Sequence, residues 1–159
     1  MSIALSSDQV WKVVERELFA VLATVNARGE PRTAGIVYKV RDKKLYIATD
    51  FSSVKAKNAK RNPHVSLTVT VNKRLPFLPW IKIPAATVTF QGVAKVHAAN
   101  AVDPGLQKVL LGGLKVDDKV MSDLCFIEVA PEGDFITYGV GVSLMTMRDP
   151  DAARGRAPV

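Results

Sequence analysis

The stretch LYIATDFSSVKAKNAKRNPHVSLTVTV, residues 45–71, changes period twice and so decides the fold. Leu45 to Thr49 is a short apolar run that reads as a strand. From Ser53 to Arg61 the composition turns to alanine, lysine and asparagine, a short basic helix. Asn62-Pro63 stops it, because the residue before a proline avoids the helical region. Val65, Leu67, Val69 and Val71 then alternate with Ser66, Thr68 and Thr70, the period-two pattern of a half-buried strand. Strand, basic helix and strand follow one another with almost no loop between them.

Working outward, the same patterns recur on both sides. Ser6 and Gln9 are spaced as a capping box, and Val10, Val13, Val14 and Leu18 follow at helical spacing. Leu18–Val25 reads as a buried strand, 26–30 as a turn, and Arg32–Val40 as a second strand broken up at Gly35. Ala86–Ala98 is a long strand, 103–121 a helical region interrupted at Gly112-Gly113, and Ser122–Ala130 and Phe135–Val140 are the last strands. Valine supplies 22 of 159 residues, a bias toward pleated structure. Six or seven mostly antiparallel strands with peripheral helices predict a β-barrel occupying residues 1–147 as one domain. Residues 148–159, polar and with two prolines, are expected to form an arm or tail.

Composition narrows the function classes. The single cysteine, Cys125, excludes an internal disulfide framework, and no Cys/His cluster has zinc spacing, so no metal site is expected. No signal-peptide pattern and no apolar run of membrane-spanning length occur, so the expectation is a cytoplasmic protein without a membrane span. Net charge is +7, yet ten Lys/Arg against two Asp crowd between Lys39 and Arg74. That segment carries +8 and the remainder −1, which points to an anionic partner: nucleic acid, a membrane surface or a phosphorylated small molecule.

The helix at 53–61 sharpens this. The first amides of a helix lack intrahelical partners and carry the positive end of the dipole, so lysine there is electrostatically misplaced. Lys55 and Lys57 nevertheless stand in or near the first turn. An anion held by the free amides, the Ser52 and Ser53 hydroxyls and the Lys55 ammonium removes the conflict, and a phosphate monoester has the right charge and size. A solvated basic helix that aids solubility is the competing reading.

The run from Phe19 to Val71 resembles the FMN-binding split β-barrels of the pyridoxamine 5'-phosphate oxidase-like superfamily. The resemblance rests on the turn and strand from Gly29 to Tyr38, on Leu45–Asp50 followed by Ser-Ser-Val-Lys55, and on Lys57-Asn58 through Asn62-Pro63 to Leu67. Phe90-Gln91-Gly92-Val93-Ala94 extends it. It implies a homodimer with two FMN molecules in clefts at the subunit interface. It also implies that Thr33, Ala34, Gly35 and Ile36 run beside the isoalloxazine edge. Ala48 and Thr49 would line the phosphate and ribityl side, Ser53 and Lys55 the phosphate, and Thr87 the ring, from the same or the other subunit. The oxidase places arginines where this chain has Thr33 and Val54, leaving Lys57 or Arg32 to compensate. The oxidase's C-terminal segment with paired Arg and His has no counterpart, so vitamin B6 oxidation is not supported. The closer likeness is to small flavin or deazaflavin reductases.

Such chemistry needs no acid–base pair, because the flavin carries it, and no catalytic residue is assigned. Tyr38 and Cys125 read as core, and His64 and His97 as separate strand residues facing solvent. The apolar, proline-rich segment 75–84, with Phe77 and Trp80, fits dimer packing, a substrate wall or membrane-surface contact. Three functions follow: an FMN- or deazaflavin-dependent oxidoreductase of a small molecule, a non-catalytic flavin- or haem-sequestering protein, and a nucleic-acid-binding barrel, ranked last because aromatics are scarce near the lysines.

Overall fold

The computed structural model describes residues 3–73, 80 and 83–159. Among them, in chain order, are β1 (Ile3–Ala4), α1 (Ser7–Arg16), β2 (Phe19–Val25), β3 (Pro31–Val37), β4 (Lys39–Arg41), β5 (Lys44–Asp50) and α2 (Val54–Arg61). These are followed by β6 (His64–Val71), β7 (Ala86–Ala98), α3 (Pro104–Leu110), α4 (Asp118–Asp123), β8 (Leu124–Tyr138), α5 (Pro150–Ala153) and β9 (Arg154–Pro158). The strands form one sheet in the order β1-β9-β8-β7-β6-β2-β3, with β5 pairing β8 on its other stretch and β4 pairing β5. All pairs are antiparallel except β1 with β9. Among the described residues β3 pairs only with β2, so the sheet is open between β3 and β5.

The core lies on one face of this curved sheet. Alternation places Ala20 and Leu22 of β2, Leu67 and Val69 of β6, Val88 and Phe90 of β7, and Ile127 and Val129 of β8 inward, all buried. Helix α1 closes the core with Val10, Trp11 and Val14, and the Trp11 ring meets Phe135 edge-on at 5.3 Å. Its capping box forms as spaced: Gln9 N donates to Ser6 Oγ, and Ser6 N to Gln9 Oε1. Helix α2 lays Ala56, Asn58 and Ala59 against the core.

Three expectations are corrected. The second strand breaks at Tyr38, not Gly35, because Tyr38 turns into the core and its Oη donates to Val14 O at 2.7 Å. Gly35 stays in the strand, where the Phe19 ring packs so close that a Cβ would come within 3.1 Å of it. The last two strands are one, β8: Pro131 and Glu132 pair with Gly92 and Gln91 of β7, and the irregularity is confined to a bulge that begins at Gly133, φ 73°, beside the register shift between Thr89 and Gln91. The expected arm is part of the sheet: β9 pairs β8 from Asp134↔Pro158 to Tyr138↔Arg154. It reads as polar because Arg154 and Arg156 point outward, while the buried positions are the small Gly155 and Ala157. At Gly155 a Cβ would meet Thr137 Oγ1 at 2.7 Å.

Candidate functional site

Where β5 runs into α2, Ser53 is the N-cap. Its Oγ accepts from Ala56 N at 3.3 Å and from Thr49 Oγ1 at 3.2 Å. The amides of Val54 and Lys55, the first two of the helix, have no intrahelical acceptors. No acidic residue stands in the first turn, whereas Lys60 and Arg61 stand in the last. Lys55 therefore adds a positive charge to an end that is already positive.

Opposite this turn lie the end of β2 and the start of β3. A cavity of about 190 Å³ opens there, lined by Thr24, Arg32, Thr33, Ala34, Val54 and Lys55. The two charged side chains in that lining are both cationic. A buried hydrogen-bond chain sets the width of the gap. Asn58 Nδ2 of α2 donates to Thr24 Oγ1 at 3.1 Å, and Thr24 Oγ1 donates to Arg32 O at 3.5 Å. Asn58 and Thr24 are 4% and 3% exposed, so losing either leaves a buried polar atom unpaired. A second cleft, about 360 Å³, shares Thr24 with the first and continues past His64, Ser66 and Gln91 to Glu132.

Of the residues expected at the site, Thr33, Ala34 and Lys55 line one cavity. Thr49 and Ser53 are not in that lining: Ser53 caps the helix, and Thr49 Oγ1 donates to the Ser53 hydroxyl. Ser52 lines a separate cavity with Asp50 and Asp123, whose carboxylates repel an anion. Ile36 faces the core at 4% exposed, and Gly35 packs on Phe19. Ala48 is exposed on β5, opposite Phe126 of β8. Thr87 pairs Thr70, four residues along β6 from Ser66, which lies level with Ala23 and Thr33. At roughly 3.3 Å per residue, that puts about 13 Å along the sheet between Thr87 and the cavity within one chain. Sequence reasoning missed Thr24 and Asn58 as parts of the site. Thr24, a buried hydroxyl in an otherwise apolar run, was the available signal.

The residues fit an anionic head group: two cations, free helix amides and no carboxylate in the lining. β3 is also a sheet edge, so the backbone groups on its far side are unpaired by any described strand. Elsewhere, burial pushes the Cys125 thiol up and Asp50 adds to the rise, so this cysteine is held as the neutral thiol. Burial, with Glu17 nearby, likewise raises the Tyr38 phenol. His97 is not free: its Nε2 lies 3.4 Å from Glu128. The expectation for 75–84 falls mostly outside the described residues, although Trp80 is exposed. No helix among the described residues is long and apolar enough to cross a membrane.

The family model described as Pyridoxamine 5'-phosphate oxidase matches residues 6–133. Solved structures with the same fold include an F420 reductase, 21% identical with a TM-score of 0.55, covering 78% of this chain and 93% of that one. A FAD-binding protein from Mesorhizobium loti is 18% identical with a TM-score of 0.57, covering 80% and 91%. A heme binding protein from Mycobacterium smegmatis is 14% identical with a TM-score of 0.62, covering 85% of this chain and 54% of that one. No curated protein matches the chain.

Proposed function

We propose, since this chain belongs to the pyridoxamine 5'-phosphate oxidase family, that it is an FMN-dependent oxidoreductase acting on a small molecule. The observation that carries this reading is the cavity of about 190 Å³ between β3 and the first turn of α2. There Lys55 would hold the phosphate, with the Val54 and Lys55 amides donating to its oxygens. The free edge of β3, from Thr33 to Ile36, would offer backbone groups to the ring, and Ala48 and Thr49 would bound the ribityl side. FMN supplies hydride chemistry when bound. The chain's own work is to bind, orient and exclude water, which agrees with Tyr38 and Cys125 being buried in the core rather than open to a substrate.

The functional unit in this reading is a homodimer. Phe19 and Val37, 47% and 65% exposed, are cross-strand partners on the outer face of β2 and β3, an apolar patch that a second copy would cover. The offset of Thr87 from the cavity along the sheet within one chain fits its reaching the cofactor of the other protomer. A deazaflavin coenzyme would use the same phosphate site, a reading supported by the likeness to an F420 reductase. A non-catalytic flavin- or haem-sequestering role is the second reading, supported by the likeness to a heme binding protein.

Titration of the purified protein with FMN, followed by flavin fluorescence and sedimentation, tests the reading. The expected result is one FMN bound per chain in a dimer, and reduced nicotinamide oxidised faster than by the same FMN free in solution. Binding without turnover would favour sequestration, and no binding would overturn the FMN-dependent oxidoreductase and flavin sequestration alike.

A further inference from the structure

We infer that Arg32 is the second cation of the phosphate site, and that Glu30 holds it in reserve until a phosphate monoester displaces the carboxylate. The inference rests on the proposed phosphate site and adds to it a residue and a device. Thr33 and Val54 both line the cavity and are neutral, so without Arg32 the lining carries one positive charge. A phosphate monoester carries nearly two negative charges at neutral pH. Lys55 and Arg32 together match that charge, and the guanidinium adds a fork suited to two phosphate oxygens. Lys57, the other candidate, does not line the cavity.

The loop before β3 is built to keep Glu30 in place. Asn26 Oδ1 accepts from Arg28 N at 2.9 Å and from Glu30 N at 3.0 Å, while Asn26 Nδ2 donates to Glu30 Oε2 at 2.7 Å. The carboxylate so fixed meets Arg28 at 3.3 Å and Arg32 at 3.2 Å. Arg32 and Glu30 side chains are 54% and 45% exposed, so their pairing is a weak, solvent-screened one. When Arg32 leaves, Glu30 keeps Arg28 and Asn26, and no charge is orphaned. Release is therefore cheap, and the gain is a charge-assisted contact in a half-enclosed cavity. The site accordingly selects ligands that end in a phosphate monoester over those that lack one.

The test compares FMN with riboflavin, which lacks the phosphate, in binding titrations of the full chain. Arg32→Ala should weaken FMN about tenfold or more and leave riboflavin unchanged, with Arg32→Lys recovering part of the loss. Glu30→Gln should tighten FMN by about twofold to fivefold, a gain that a merely structural role for Glu30 would not produce. In the Arg32→Ala background that gain should vanish. A gain that persists there reports only the removal of a nearby negative charge and overturns the latch, as does an Arg32→Ala protein that binds FMN like the parent. Lys55→Ala separates the two levels. If it weakens FMN while Arg32→Ala does not, the phosphate site stands and the Arg32 assignment fails. If neither variant changes FMN binding, the site itself is misplaced and the assignment falls with it.

Discussion

The two ends of β5 each present a lysine beside the sheet, and the surroundings treat them oppositely. At the start of the strand, Lys44 Nζ lies 2.9 Å from Glu128 Oε1, Tyr46 Oη donates to Glu128 Oε2 at 3.2 Å, and His97 stands 3.4 Å away. Burial alone would push the Glu128 carboxyl up. The hydrogen bond and charge of Lys44, with His97 and Tyr46 adding, outweigh it and hold the group below the usual range. Past the end of the strand, Lys55 forms no ion pair among the described residues and faces a cavity whose other charged residue is also a cation. A cation that the chain itself neutralises contributes to the fold. One left without a partner at a helix N-terminus costs stability that a ligand recovers.

Substitutions can break that contrast or sharpen it. The largest effect is expected from Lys55→Ala, which should cost about 1.5–3 kcal/mol of FMN affinity while leaving riboflavin binding intact. The melting temperature without ligand should stay level or rise slightly, as removal of a misplaced charge requires. A fall in melting temperature, with FMN binding unchanged, would make Lys55 as structural as Lys44. Asn58→Ala comes next. It leaves the buried Thr24 hydroxyl without its donor and should lower stability by about 1–3 kcal/mol in denaturant unfolding. Because it loosens α2 from β2, FMN and riboflavin should weaken together.

Glu128→Gln is expected to cost about 1 kcal/mol at neutral pH, a modest figure because Lys44 is 41% exposed. The folded-state pKa of Glu128 lies below its unfolded value near 4.3. Its contribution is therefore complete above that value and is lost as the pH falls through the lowered one. Melting curves of parent and variant should converge below about pH 4, and FMN affinity at pH 7 should not change. The smallest effect belongs to Lys57→Ala. Lys57 is exposed outside the cavity, so FMN affinity should shift by less than about 0.5 kcal/mol in the same titration. A loss comparable to that of Lys55→Ala would move the phosphate site along the helix.

Much of this was legible in the sequence where the signal is local. The Ser6/Gln9 capping box, the stop of α2 at Asn62-Pro63, the alternation of β6 and the bounds of β7 are set by neighbours a few residues apart. The crowding of lysine at the start of α2 was legible for the same reason. Failures came where distant strands decide. Arg154-Gly-Arg-Ala-Pro158 lacks the large apolar residues that mark a strand, and it becomes one because β8 and β1 supply its hydrogen bonds. Pro131-Glu-Gly133 has turn residues, yet Pro131 and Glu132 pair with β7, and Gly133 at φ 73° makes only a bulge within the strand.

The candidate site divides along the same line. The chain of residues alone determined a strand feeding a basic helix, and with it an unneutralised positive end. It could not determine that Thr24 and Asn58, far apart in the chain, hydrogen-bond across the gap, or that Arg32 and Lys55 share one cavity while Ser52 opens into another. Those outcomes depend on which strands pair, on their register, and on which way each side chain points once its neighbours are in place. Pairing between segments many residues apart leaves no periodic trace in either of them.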